Sequence, residues 1–164
     1  MRQLQVHHTT GANSLVGWNH TASPMRVVVN YVMMYMARVS PSLRFKNFLY
    51  RRMGAKIGRN VSFGLETTVD IFFPELIEVG DNTLIGYNTT LLAHEYLLDC
   101  YKTGPVRIGK DVVIGANCTV LAGVTIGDGA VVSAMSLVNK DVPAGAFVGG
   151  IPIKNINGGA KRAP

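Results

Sequence analysis

One side chain able to move a proton at neutral pH stands apart by position. His94 is the only histidine after residue 20. An imidazole, with an ordinary pKa of about 6.5, can take the proton of a hydroxyl as its oxygen attacks an electrophile. His94 lies just beyond Leu91, where a regular aliphatic pattern breaks off. His7, His8 and His20 fall in a polar N-terminal stretch and read as exposed. Cys100 and Cys118 are too few for a disulfide framework. Cys118 is expected in the core and Cys100 on a loop. Catalytic zinc asks for about three protein ligands, and the patterned region offers one histidine and one inward cysteine. No metal is expected.

The elements that must position His94 follow from a period of six. Positions 108, 114, 120, 126, 132 and 138 are Ile, Ile, Val, Ile, Val and Val. Four residues after each come Val112, Cys118, Val124, Ala130, Ser136 and Val142, all small or β-branched. A six-residue period fits neither a helix nor a hairpin meander. It fits a short strand and a corner, repeated, as in solenoids. Three sides closing a triangle take 18 residues per coil, with both inward positions facing a narrow axis and coils stacking at about 4.8 Å. Gly109, Gly127, Asp128 and Gly129 are expected at corners, where they adopt a positive φ cheaply. The same frame runs through Ile57, Phe63 and Val69, then Val79, Ile85 and Leu91. It is broken over residues 71–76 and again over 95–105, and such breaks are loops pushed out of the wall.

With Asn139-Lys140-Asp141-Val142-Pro143 and then Gly149-Gly150-Ile151-Pro152 closing it, the segment from Lys56 to Lys154 resembles the hexapeptide acyltransferases. It is most similar to the maltose, galactoside and polysaccharide O-acetyltransferases. The resemblance implies an all-β fold, a left-handed parallel β-helix that departs from the right-handed crossover rule, here preceded by a helical segment. It implies direct attack of a sugar or glycan hydroxyl on acetyl-CoA, with His94 as general base. The CoA side then falls to Ala116 and Ala134 at coil corners, to Asn139 and Lys140, and to Lys154, whose cations suit phosphate. A backbone N–H is expected to hold the oxyanion. Glu66, Asp70 and Tyr96 are acceptor-side candidates. A homotrimer with sites between subunits is also implied. Two positions depart from the pattern: Gly64 stands where an acceptor-gripping Asn is usual, and Val113 where several members have Trp. Maltose and galactoside are therefore not supported as acceptors.

Charge divides the chain. Residues 1–60 carry Arg2, Arg26, Arg38, Arg44, Lys46, Arg51, Arg52, Lys56 and Arg59 and no acid, whereas all ten acidic residues follow. Residues 1–24 read as an extended arm. Two helices are expected from Met25 to Val39 and from Ser40, as cap, to Gly54. Together they form an N-terminal unit (1–55) ahead of the β-helix (56–157) and a frayed tail (158–164). The helices either cover the open end of the β-helix or lie against a membrane surface carrying anionic lipid or a lipid-linked glycan. The first apolar run falls short of the ~20 residues that span a bilayer. Basic charge alone is a weak cue for nucleic acid, which is not expected as a partner. No signal peptide is legible, so a cytoplasmic site is expected. A non-catalytic scaffold would show regular coils without breaks, and the loop beside His94 argues against it.

Overall fold

A computed structural model describes residues 2–156; the expected tail lies outside them. The repeat winds into a left-handed parallel β-helix of triangular section. Its first face stacks Lys56–Ile57, Ile77–Val79, Val106–Ile108 and Thr125–Ile126. The second stacks Ser62–Phe63, Leu84–Ile85, Val113–Ile114, Val131–Val132 and Phe147–Gly149. The third stacks Thr68–Val69, Thr90–Leu91, Thr119–Val120 and Leu137–Val138. Every frame position from Ile108 to Val142 points inward, the most open being Val142 at 3% exposure. Inward hydroxyls are satisfied across coils: Thr83 Oγ1 donates to Gly109 O at 2.8 Å and Thr89 Oγ1 to Gly115 O at 2.9 Å. Burial without a lost hydrogen bond is what lets Thr occupy a core position.

Corners follow one rule, and it corrects the expected role of glycine. The left-handed residue is the one before the next inward position: Asn60, Asn82, Asn88, Asp111, Asn117 and Gly129. Gly109 and Gly127 are not left-handed. A Cβ there would strike Asp128 and Ala144 of the next coil, and at Gly86 it would lie 2.6 Å from Ala116 N. Close stacking, not backbone freedom, selects glycine at those corners.

Three helices precede the prism: α1 (Trp18–Thr21), α2 (Pro24–Val39) and α3 (Leu43–Met53). The cap of α3 is Ser42, which accepts from Phe45 N at 3.4 Å; Ser40 instead ends α2. Gly54 closes α3 at φ 117°, as expected of a left-handed C-cap. The inner face of α3 caps the first coil. Lys46 Nζ donates to Phe63 O (3.1 Å) and Gly64 O (2.7 Å), Asn47 to Val61 O (2.8 Å), Tyr50 to Thr67 O (2.9 Å) and Arg51 to Ile57 O (3.0 Å). These carbonyls would otherwise form an open strand edge. Burial pushes the Lys46 ammonium below the ordinary lysine value, opposed by nearby Glu66.

The first 24 residues are not a free arm. Gln5–His8 pairs antiparallel with Cys100–Thr103, which pairs with His94–Tyr96, so the second break is a three-stranded sheet. Cys100 is therefore a buried strand residue, not a loop residue. His7 stacks on Tyr101 at 4.5 Å and its Nε2 meets Thr103 Oγ1 at 3.1 Å, while His8 and His20 are exposed. Among the described residues no helix is long and apolar enough to cross a membrane.

Lys46→Met keeps the volume of the side chain and removes both donors. Each orphaned carbonyl costs about 1–3 kcal/mol, so urea unfolding is expected to show a loss of about 2–4 kcal/mol. Unchanged stability would show that the edge is satisfied in another way.

Candidate active site

Successive coils are offset by 22, then 29, then 18 residues, so the extra residues of the first two leave the wall where the third face turns into the first. That edge carries Asp70 in the first coil and His94 in the second. The coils bring them together: Asp70 N donates to Leu91 O at 3.0 Å, setting the carboxylate beneath Ala93 and His94.

All acceptor positions of Asp70 are directed. Its Oδ1 accepts from Phe72 N (2.8 Å) and Phe73 N (3.0 Å), and its Oδ2 accepts from Ala93 N (2.7 Å) and from His94 Nδ1 at 2.5 Å. A carboxylate only accepts, so Nδ1 carries the proton and Nε2 presents its lone pair. The Asp70 side chain is wholly buried and that of His94 is 15% exposed. The expectation that Asp70 touches an acceptor is corrected: it positions the imidazole from within the wall. Aromatic rings enclose the histidine. Phe72 lies 4.9 Å away edge-on, Tyr96 5.0 Å and Phe73 5.8 Å. Trp18 meets the edge of Phe72 at 5.8 Å, and Tyr96 Oη hydrogen-bonds Thr21 Oγ1 at 2.7 Å. Burial pushes the Tyr96 phenol above its ordinary value, with the Thr21 contact opposing. Tyr96 thus stays beside His94. Glu66 does not: it sits at the turn from second to third face, ion-paired to Arg38 at 2.7 Å.

The CoA candidates are sorted between edges. Ala116 and Ala134 stack at the turn from second to third face, Met135 N donating to Ala116 O at 2.9 Å. Asn139 and Lys140 lie on the edge of His94, two coils on, about 10 Å along the axis at the usual strand spacing. Asn139 Oδ1 is buried without a partner, and Lys140 is exposed. Lys154 is exposed on the strand that turns back antiparallel along Gly149. One chain does not bring these groups together. No thiol is placed as a nucleophile: Cys118 faces the prism interior, its Sγ 3.2 Å from Ser133 O and its thiol pushed up by burial. Among the described residues no three His, Cys, Asp or Glu side chains cluster as a metal site requires.

Phe72, Phe73, Trp18 and Thr21 were not singled out by sequence. The adjacent phenylalanines in the first break were a usable signal, since two large aromatics do not fit the narrow axis. Trp18 and Thr21 gave none, because their docking depends on the long-range pairing of the arm.

The family model for the hexapeptide repeat of succinyl-transferase matches residues 105–137. Bacillus subtilis YvoF, named an acetyltransferase, is 54% identical over 157 residues, covering 95% of this chain and 91% of its own. The chain belongs to the hexapeptide-repeat acetyltransferase family. Escherichia coli galactoside O-acetyltransferase is 38% identical over 109 residues, 61% of this chain and 52% of that one. A galactoside acetyltransferase solved in complex with coenzyme A matches with a TM-score of 0.65 at 27% identity, over 82% of this chain and 80% of that chain. A hexapeptide-repeat acetyltransferase of Vibrio cholerae shares the fold at a TM-score of 0.66 and 24% identity, over 94% of each chain.

For this acetyltransferase, Asp70→Asn tests the positioning role. The amide would donate to Nδ1 and so move the ring proton to Nε2, where it blocks the base. The kcat of acetyl transfer is expected to fall on the order of 10²–10⁴-fold, with KM and melting temperature unchanged. A fall confined to KM would instead place Asp70 in acceptor contact.

Proposed function

We propose that this acetyltransferase moves the acetyl group of acetyl-CoA to a hydroxyl of a sugar or glycan, with His94 as general base. The observation that carries the reading is the 2.5 Å contact of His94 Nδ1 with buried Asp70, which leaves Nε2 free at an aromatic-walled opening. The acceptor oxygen attacks the thioester carbonyl while its proton passes to Nε2. Collapse of the tetrahedral species breaks the C–S bond, and the departing thiolate takes the proton back from the imidazolium. The products are an acetyl ester and free CoA, and the imidazole is regenerated. No acyl-enzyme is needed, in keeping with the inward placement of Cys118. A backbone N–H supplies the oxyanion contact.

The residues toward CoA are Ala116, Ala134, Asn139, Lys140 and Lys154. The small alanines leave backbone accessible at the corners, and the exposed lysines suit phosphate. Because these groups occupy more than one edge, we read the site as completed by a neighbouring copy, and the assembly as a homotrimer. The aromatic wall of Phe72, Tyr96 and Trp18 supports a sugar ring as acceptor, since apolar sugar faces pack on such rings. Cytoplasmic location, with residues 25–54 turned toward a membrane, belongs to the same reading.

Two measurements test it. His94→Ala is expected to lower acetyl transfer on the order of 10²–10⁴-fold, followed by thiol release from acetyl-CoA, with an unchanged circular dichroism spectrum; near-wild-type turnover would remove the base. Sedimentation at micromolar concentration is expected to give a trimer, and a monomer would contradict the shared site.

A further inference from the structure

Helix α2 buries one stripe, Val27, Asn30, Met34 and Ala37, and leaves the opposite one bare. On that outer stripe Val28, Val29, Val32, Tyr35, Met36 and Val39 recur three and four residues apart, each at least 39% exposed. The stripe spans nearly the whole helix, roughly 20 Å at 1.5 Å per residue. The charges of α2, Arg26 and Arg38, sit at its ends and are tied to Glu75 and Glu66. An uncharged exposed strip of this length marks a contact surface.

The neighbouring helix supplies the charge. Arg44, Phe48 and Arg52 follow one another at four-residue spacing on the outer face of α3, with Phe48 55% exposed. Neither arginine has a partner in the structure, and the first 60 residues contain no acid. Both helices bury their inner faces on the first coil, so both outer faces turn away from the prism. An apolar stripe bordered by unpaired cations fits an anionic lipid surface. Tyr31 and Tyr35, both exposed, have the ring-and-hydroxyl character favoured at headgroup depth. Two copies meeting through this face would set arginine against arginine with no acid between them.

The inner face of α2 grips the loop that walls the active site. Asn30 Nδ2 donates to Ile71 O at 2.8 Å, and the next residue, Phe72, is the ring against His94. The opening at His94 therefore lies about one helix diameter, roughly 10 Å, from whatever the outer face touches. We propose that the α2–α3 face docks on an anionic bilayer and that the acceptor is a hydroxyl of a lipid-anchored glycan. The acceptor assignment rests on the transfer reaction above; the docking does not.

The full chain is expected to co-sediment with vesicles of phosphatidylcholine mixed with phosphatidylglycerol, and not with phosphatidylcholine alone. Arg44→Gln with Arg52→Gln is expected to weaken partition roughly 30-fold. Val29→Asp with Val32→Asp is expected to abolish it, with an unchanged circular dichroism spectrum because both positions are outward. Equal partition of wild type and variants would overturn the docking. So would loss of a larger assembly in the Val29→Asp/Val32→Asp protein without any vesicle binding by the wild type, which would give the face to a second copy. In the same vesicles, acetyl transfer to an embedded glycolipid is expected to exceed transfer to the free glycan, and the reverse order would overturn the acceptor assignment. Vesicle binding with no transfer to any hydroxyl would leave the docking standing and remove the proposed function.

Discussion

A stack of parallel strands must end somewhere, and its first coil has carbonyls with no coil beneath them. Lys46, Asn47, Tyr50 and Arg51 answer that constraint from a single helix, each reaching a different part of the triangle. Several of these groups are buried, so every unmade bond would carry its desolvation cost. The cap also fixes the position of α3, which packs on α2, which holds the loop bearing Phe72. The geometry at His94 is thus connected to the closure of the strand edge through three packed elements.

The same stacking logic builds the site. A carboxylate on one coil and an imidazole on the next are adjacent because coils are one strand spacing apart. Backbone donors from the first loop and from Ala93 fill the remaining lone pairs of Asp70. Rigid walls hold the pair, and the variable loops close over it. This division lets a stiff scaffold set proton transfer while loops meet the acceptor.

The prism was legible because a six-residue period couples directly to burial: each of the twelve frame positions from Ile108 to Val142 is buried. The two breaks and the place of His94 at the second were legible for the same reason. Corner glycines were located but misread, since the clash that selects Gly109 comes from Asp128 in the next coil rather than from its own φ. Asp70 was read as facing an acceptor because an acid in a break looks solvated; its donors, arriving from two coils, have no local signature. The arm was missed because the partner of Gln5 is Thr103, far along the chain, and a strand paired to one distant neighbour shows no periodicity. Ser42 displaced Ser40 as cap because Pro41 lies outside the helix.

Both excursions from the coil leave by the same edge, one before a 3₁₀ turn at Pro74–Leu76 and the other as a hairpin. The other two edges stay regular from coil to coil. Chain length can therefore grow at that one seam without shifting the register of any face. A lineage built on this spring could exchange its acceptor by swapping those two inserts, while keeping the dyad partner and the packed axis it inherited.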